Sequence, residues 1–460
     1  MRGSRLPEGR GALVLGGNYR ALGVVRSLGR RGIPVWVVRT DEHSLACASR
    51  YAQNSLEWPL GRARAKVDYL LTLARRHGLD RWTLVPTCDE TALLLASHRD
   101  RLEPRYVVAA PSADEMAVAY DKRATYAFAD AVGIDQPWTM FPSCRADLVA
   151  ADVSFPAILK PAFKADANCF TAAKAWRVDS RDELLARYDE ARTLVPPEVL
   201  MVQELIPGGP GAQLSHAALC EHGEPIATVS AVRIRQQPMD FGKSSCHVET
   251  TRDGDFAVAA KRLLQDLRFT GLAEVEFKRD ERDGRPKLLD INARVWGWHS
   301  LCERAGVDFP WLQWELLHGR RPSFSQARPG VRWVRLSTDL PTGAREVLAR
   351  RLTARGYLST LRPPIAEAIF ATDDLLPALV DLPLLARIAT RRARRPDVPA
   401  KPADTTEARP TPVIVLPLTG SEVEPAKTSV VALSLNGRKS EAAKTVDLSM
   451  PANARESLPR

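Results

Sequence analysis

Four side chains with oxygen atoms lie on either side of a polar turn in one short segment, GLAEVEFKRDERDGRPKLLDINAR, which spans residues 271–294. They belong to Glu274, Glu276, Asp290 and Asn292. Hydrophobic and polar residues alternate on both sides of a polar turn, so the segment is predicted to form a β-hairpin. Carboxylate and amide oxygens are the ligands that hard divalent cations such as Mg²⁺ prefer. The segment could therefore bind a metal ion if the strand register brings these side chains together.

The length of the turn decides which of these side chains meet. A two-residue turn at 283–284 would place Glu276 opposite Ile291 and spread the polar groups over both faces of the hairpin. A three-residue loop at 282–284 has glycine where a left-handed backbone is required, and it places Glu276 opposite Asp290. The three-residue loop is the prediction.

In that register Glu274 faces Asn292 on the same face of the hairpin, while Leu289 lies on the other face. Like charges that oppose each other directly across two strands repel. A divalent cation held by Glu276, Asp290 and Asn292 would offset this repulsion. The alternative is an exposed hairpin whose acidic side chains are solvated, and the spacing alone leaves both interpretations open.

Two further residues of chemical interest are Arg233 and Arg235 in the strand-like stretch VSAVRIRQQ. Residues two apart in a strand share a face. Because an arginine can bind a carboxylate through two hydrogen bonds, this pair is predicted to bind an acidic substrate. Surface charges on a strand are the competing interpretation.

Alternating strands and helices are predicted to position these residues. Apolar runs at 12–16, 33–38, 83–86 and 106–110 are separated by helical segments, which predicts an open α/β sheet in an N-terminal domain. Antiparallel hairpins and helices then indicate an α+β region. The expected division is 1–115, 116–322 with two subdomains (about 116–202 and 203–322), a small C-terminal segment 323–395 and a disordered tail 396–460, which is rich in Pro, Ala, Thr, Glu and Lys.

Composition limits the class of protein. A chain of 460 residues with 45% hydrophobic and 26% charged residues is typical of a globular protein. No apolar run reaches about 18 residues and the N-terminus does not resemble a signal peptide, so the expected location is cytoplasmic, without a membrane partner. The seven cysteines are scattered and form no Cys-x-x-Cys pair, which argues against a zinc site or a disulfide framework.

The net charge of +10 raises the question of nucleic-acid binding. The basic residues are spread along the chain, apart from one cluster at 387–395, and no nucleic-acid partner is expected. A cationic surface could equally attract an anionic nucleotide.

Several short motifs along the chain together resemble the ATP-grasp superfamily, in particular its predicted carboxylate-amine ligases. The resemblance covers most of residues 11–320, and the order of the motifs is more specific than any one of them. The motifs are VPTCDE (85–90), Asp121-Lys122, GIDQPWT (133–139), FPAILKP (155–161), KAWRV (174–178), VQELIPG (202–208), AEVEFK (273–278) and LLDINAR (288–294).

The resemblance implies an N-terminal pre-ATP-grasp α/β domain followed by a two-subdomain ATP-grasp fold, with ATP as the nucleotide. The lysines that it places on the ATP phosphates are Lys122 and Lys160, with Lys174 as a third candidate. The residues that it places at the hinge between the subdomains, where backbone groups bind the adenine edge, are Gln203, Glu204 and Ile206.

The same resemblance assigns Glu276, Asp290 and Asn292 to Mg²⁺, with Mn²⁺ as an alternative ion. It assigns Arg294 to the γ-phosphate, as the catalytic arginine. The chain departs from the family in three places: Asp290 stands where glutamate is common, Ala293 stands where proline is common, and the glycine-rich phosphate loop is missing from 161–174.

The implied activity is ATP-dependent ligation. A carboxylate would be activated as an acyl phosphate and coupled to an amine or a similar nucleophile, with release of ADP and phosphate. The expected partners are a small-molecule acid and amine, and a second copy of the chain in a homodimer. Two alternatives stay open at this point: an ATP-dependent carboxylase that uses bicarbonate, and a non-catalytic nucleotide-binding protein.

Overall fold

A computed structural model describes residues 10–39, 44–59, 61–163, 168–242 and 244–393. All of them belong to the first of two compact units, residues 1–401. The tail that the sequence predicts to be disordered, 396–460, lies outside the described residues.

The N-terminal part contains a five-stranded parallel sheet in the order β3-β2-β1-β4-β5, which confirms the predicted open α/β domain. The central strand β1 is fully buried, as expected for a parallel sheet that is covered on both faces. The carboxyl ends of β1 and β4 lead into helices α1 and α3. The elements are β1 Ala12–Leu15, α1 Tyr19–Gly29, β2 Val35–Arg39, β3 Ala52–Glu57, α2 Ala63–His77, β4 Thr83–Pro86, α3 Asp89–Ser97, α4 Arg99–Leu102 and β5 Val107–Val108.

A second sheet of four strands follows, in the order β6-β9-β7-β8, and all of its pairings are antiparallel. Its core contains buried side chains of β7, β9 and α9. The elements are α5 Ala113–Tyr120, α6 Lys122–Ala131, β6 Thr139–Met140, α7 Arg145–Ala150, β7 Ala157–Pro161, α8 Cys169–Ala173, β8 Trp176–Val178, α9 Arg181–Arg192 and β9 Leu200–Glu204.

The third sheet has eight strands, with the main path β14-β13-β10-β11-β12-β16-β17 and with β15 paired to β11. Its last strands come from the segment 323–395, so this segment extends the large sheet. The elements are β10 Gln213–Glu221, β11 Glu224–Gln237, β12 Ser244–Thr251, α10 Asp255–Asp266, β13 Gly271–Arg279, β14 Pro286–Asn292, α11 Ser300–Arg304, α12 Phe309–Leu317, β15 Ser325–Gln326, β16 Arg332–Val334, α13 Leu336–Leu348, α14 Ala354–Thr360, β17 Ile365–Glu367 and α15 Leu376–Ala393.

The hairpin β13-β14 has the predicted register at the acidic residues but reaches it by a different route. Glu276 opposes Asp290, as predicted. The backbone N–H of Asp280 bonds to the carbonyl of Arg285, so the loop has four residues, 281–284, and the predicted three-residue loop is wrong. A bulge at Leu289 then shifts the register by one residue.

The bulge also changes which leucine enters the core. Leu288, which opposes Phe277, is fully buried together with it. Leu289 does not share the core face as expected and instead lines the main cleft. Gly284 has a φ of +73°, so the prediction of a left-handed glycine in the loop is confirmed.

No helix among the described residues is long and apolar enough to cross a membrane.

Candidate active site

One cleft of about 2900 Å³ is lined by residues of all three sheets and of the helices that follow β1 and β4. Ligand pockets usually have about 300–1000 Å³, so the cleft has room for a nucleotide together with other ligands. Eleven of the twelve residues singled out from the sequence line it: Lys122, Lys160, Lys174, Gln203, Glu204, Ile206, Arg233, Glu276, Asp290, Asn292 and Arg294.

The acidic cluster lies on the cleft-facing side of the β13-β14 hairpin. The Nδ2 atom of Asn292 donates to Glu274 Oε2 at 3.0 Å and to Glu276 Oε1 at 3.1 Å. Asp290 lies directly across from Glu276. An amide can exchange its donor and acceptor ends by rotation, so Asn292 can also present an oxygen to a cation.

Two cations compensate the charge of these carboxylates. Lys122 Nζ lies 2.6 Å from Asp290 Oδ1, and an Arg233 nitrogen lies 3.2 Å from Glu276 Oε1. Although burial favours the neutral acid, Arg233 and the neighbouring lysines hold the pKa of Glu276 below its ordinary value. Although burial opposes the charged lysine, Asp290 keeps the pKa of Lys122 above its ordinary value.

Metal binding at this cluster stays a prediction. The described residues contain no group of three or more His, Cys, Asp or Glu side chains arranged to hold a metal ion. The set Glu276, Asp290 and Asn292 has two carboxylates and one amide, which are hard oxygen donors of the kind that suits Mg²⁺. The donor chemistry therefore fits the ion that the sequence resemblance implies.

Lys160 and Lys174 face the cleft without forming an ion pair with any described residue. Lys160 Nζ donates to Gln203 Oε1 at 2.7 Å, and Lys174 Nζ donates to the Gly242 carbonyl at 2.9 Å. Burial and the charge of Lys122 lower the pKa of Lys160 well below its ordinary value. Burial also lowers the pKa of Lys174. A polyanion placed between these lysines would favour their charged forms.

The predicted hinge residues connect the four-stranded sheet to the hairpin. The Gln203 side chain is buried and also donates to Tyr126 Oη. Glu204 accepts hydrogen bonds from the backbone of Trp138 and from Arg282. The Ile206 carbonyl accepts a hydrogen bond from Lys278.

Arg233 and Arg235 do not share a face, contrary to the sequence prediction. Arg233 opposes Val248 and Arg235 opposes His247, which are adjacent residues of β12 and therefore point to opposite faces. The cause is a bulge in β11 between the two arginines. Arg233 lines the cleft, whereas Arg235 does not.

Arg235 instead ties the C-terminal helices to the large sheet. It forms a buried ion pair with Asp339 of α13 at 2.8 Å, and its guanidinium lies over the ring of Tyr357 at 4.8 Å. Another nitrogen lies 2.6 Å from His247 Nδ1. Arg235 therefore joins α13 and Tyr357 to the large sheet and does not line the cleft.

Arg294 is held by a residue that was not selected from the sequence. Its Nε atom donates to Asp89 Oδ1 at 2.9 Å, and a second nitrogen donates to Asn292 Oδ1 at 2.8 Å. Asp89 is the first residue of α3, at the carboxyl end of β4. Ligands of open α/β sheets bind beyond the carboxyl ends of the strands. The position of Asp89 in VPTCDE, just after a predicted strand, was therefore the signal in the sequence that could have identified it as a site residue.

Glu274 was placed opposite Asn292 from the sequence but was not given a role. Burial, followed by the charge of Glu276, raises its pKa to about 7. Trp298 Nε1 donates to Glu274 Oε1 at 2.8 Å. The carboxyl group of Glu274 therefore links Trp298 to Asn292.

Comparison with known proteins bears on the fold of the chain. Residues 197–338 match the family model of the ATP-grasp in the biosynthetic pathway with Ter operon. This chain has the ATP-grasp fold. No similar sequence was found among the curated proteins.

Solved structures with the ATP-grasp fold cover most of the chain. The L-amino acid ligase from Bacillus licheniformis is 15% identical and aligns over 67% of this chain and 74% of its own, with a TM-score of 0.53. The N5-carboxyaminoimidazole synthetase from Staphylococcus aureus is 13% identical and aligns over 71% and 81%, with a TM-score of 0.53.

The biotin carboxylase domain of the Hydrogenobacter thermophilus 2-oxoglutarate carboxylase is 15% identical and aligns over 70% and 73%, with a TM-score of 0.55. Its structure is a dimer in complex with MgADP, ADP and bicarbonate. At these identities the likeness establishes the ATP-grasp fold alone.

Proposed function

We propose that this chain is an ATP-dependent ligase that activates a carboxylate as an acyl phosphate and couples it to an amine or a similar nucleophile. The observation that carries the proposal is the arrangement of Glu276, Asp290 and Asn292 beside Lys122 and Arg294 in one cleft. Hard oxygen ligands next to fixed cations are what transfer of a phosphoryl group from Mg-ATP requires.

In the proposed mechanism Lys122, Lys160 and Lys174 hold the phosphates of ATP, and Arg294 neutralises the γ-phosphate as it is transferred. Lysines on long side chains suit a polyphosphate because they act as point charges. The adenine binds at the strand end 203–206, whose residues also line the cleft.

Glu276, Asp290 and Asn292 would hold Mg²⁺, which supplies positive charge to the phosphate oxygens when it is bound. This chain's own contribution is to keep the Glu276 carboxylate ionised, because the charges of Arg233 and Lys174 lower its pKa. The sequence 161–174 lacks the usual glycines, so we propose that Lys160 and Lys174 replace part of the backbone phosphate contacts.

Arg233 is the proposed contact for the acid substrate. It is oriented by Gln213 and Gln236 and lies next to Glu276, close to the proposed phosphate site. A carboxylate oxygen attacks the γ-phosphorus, the bond to the β-phosphate oxygen breaks, and ADP leaves. The amine nitrogen then attacks the acyl carbon, phosphate leaves, and the nitrogen loses a proton.

The test is a screen for ADP release from Mg-ATP with amino acids and other carboxylates, each with and without amines, in the presence of hydroxylamine. An acid-dependent hydroxamate supports the ligase. Release of ADP that depends on bicarbonate alone supports the carboxylase, and binding of nucleotide without turnover supports the non-catalytic alternative.

Glu276→Gln is the diagnostic variant in this screen. Its matched control is Asp255→Asn, which removes a carboxylate that pairs with Arg279 and does not line the cleft. The proposal requires Glu276→Gln to abolish hydroxamate formation while Asp255→Asn retains it. Equal activity of the two variants would contradict the assignment of Glu276.

A further inference from the structure

Helix α15 and the residue before it leave a row of large apolar side chains in contact with solvent. Leu375, Leu376, Leu379 and Leu382 are 51%, 53%, 71% and 66% exposed. Spacings of three and four residues place them on one face of the helix. The opposite face is the one that packs on the protein, because Asp381 is buried and accepts a hydrogen bond from Arg335.

The apolar surface continues beyond α15. Leu336 and Leu340 at the start of α13 are 37% and 52% exposed, and Phe370 is 53% exposed. Leu336 and Phe370 lie near each other, since Glu367 accepts the backbone N–H groups of both, and Arg335 joins this region to α15 through Asp381. We call these seven residues the apolar patch. An accumulation of large exposed apolar side chains of this kind marks an interaction surface.

Basic residues follow the apolar patch directly. Arg387 is exposed in the described part of α15. The sequence continues with Arg391 and Arg392 and then, outside the described residues, with Arg394 and Arg395. No acidic residue lies between 382 and 396. The sequence therefore passes from the exposed leucines of α15 to a run of positive charge.

We propose that the apolar patch and the basic end of α15 dock on an anionic phospholipid surface. Helices that lie in a membrane interface combine an apolar face with Lys or Arg, and a basic cluster adds attraction to anionic headgroups. A second copy of this chain suits the patch less well, because docking through it would bring basic clusters of like charge together. A nucleic acid would leave the exposed leucines against a phosphate backbone.

This inference is compatible with the absence of a membrane-spanning helix among the described residues, since docking on a surface needs no spanning segment. The expectation of no membrane partner rested on the lack of a long apolar run, and this proposal departs from that expectation. The proposal does not depend on the proposed ligase activity, because none of the patch residues lines the cleft.

The experiment is co-sedimentation of the full-length protein with vesicles of phosphatidylcholine, alone or with about 30% phosphatidylglycerol, with size-exclusion light scattering in parallel. The full chain is expected to pellet with the anionic vesicles and to bind neutral vesicles at least about tenfold more weakly. Salt at about 0.5 M is expected to reduce binding because it screens the arginines.

The apolar contribution is tested with Leu379→Glu/Leu382→Glu and with the milder Leu379→Ala/Leu382→Ala. The matched control is Val258→Glu, which changes a side chain that is 69% exposed on α10. Both double variants are expected to lower the partition coefficient, the glutamate variant by about tenfold or more, while the control binds like the wild type.

Four results would overturn the proposal. One is the lack of vesicle binding by the wild type, and another is wild-type binding by both double variants. A third is a dimer that the double variants convert to monomers without any vesicle binding, which would identify a second copy as the occupant. The fourth is binding to duplex DNA but not to anionic vesicles.

Discussion

The ion pair between Asp89 and Arg294 joins the N-terminal sheet to the hairpin segment at the proposed phosphate site. The Arg294 side chain is 8% exposed and the Asp89 side chain is 29% exposed, with nitrogen–oxygen distances of 2.9 and 3.3 Å. Loss of a fully buried pair costs about 3–5 kcal/mol and loss of an exposed pair about 0–1 kcal/mol. For this half-open geometry we expect a coupling free energy of about 2 kcal/mol.

A double-mutant cycle with Asp89→Asn, Arg294→Gln and the combined variant measures this coupling from urea unfolding followed by tryptophan fluorescence. Since Asp89 is proposed to position Arg294, Asp89→Asn should also lower kcat for ADP release with little change in the affinity for ADP. A coupling free energy within about 0.5 kcal/mol of zero would refute the argument from burial. Wild-type kcat in Asp89→Asn would refute the positioning role.

Three further predictions concern separate parts of the structure. Glu276→Gln should weaken the Mg²⁺-dependent binding of ADP at least about tenfold, whereas an unchanged Mg²⁺ dependence of that binding would contradict the metal assignment. Arg235→Met breaks the buried pair with Asp339 and should lower the free energy of unfolding by about 3–5 kcal/mol without changing ADP affinity, whereas Arg233→Met should raise the KM of the acid about tenfold. Burial, together with the charge of Arg235, lowers the pKa of His247 to about 4, so the unfolded chain takes up the proton first as the pH falls. The contribution of His247 to the free energy of unfolding is therefore fully present above pH about 6.5, and the free energy of unfolding falls by up to about 1.4 kcal/mol per pH unit below it. In urea unfolding at different pH values, His247→Gln should lack this part of the pH dependence.

The sequence was sufficient to predict those parts of the fold that follow from local periodicity. The short apolar runs in β1 and β4, separated by helical segments, predicted the open α/β sheet. Strand β3 was missed because it is an edge strand with the sequence AQNSLE, whose inward residues are only half buried. An edge strand needs fewer apolar side chains, so its sequence resembles that of a loop.

Register was harder to predict than the elements themselves. The opposition of Glu276 and Asp290 was correct, although it results from a four-residue loop and a bulge at Leu289 that offset each other. The bulge between Arg233 and Arg235 has no compensating shift at that point, so the prediction of a shared face failed. Bulges depend on neighbouring strands, and a single segment carries little signal of them.

Contacts between distant segments could not be predicted from the sequence at all. Asp89 and Arg294 are 205 residues apart in the chain. Arg235 and Asp339 are 104 residues apart, and only the packing of α13 on the large sheet brings them together. Motif order indicated the fold, while tertiary packing decided which charged groups meet.

The central claim, that a carboxylate is activated by phosphorylation, can be tested directly with an acid substrate labelled with ¹⁸O in its carboxyl group. In the proposed reaction one carboxylate oxygen becomes bonded to the γ-phosphorus and leaves with the phosphate. The predicted result is therefore one ¹⁸O atom per inorganic phosphate, formed together with ADP and lost in Glu276→Gln. Unlabelled phosphate, or label found in AMP with release of pyrophosphate, would contradict the proposed function.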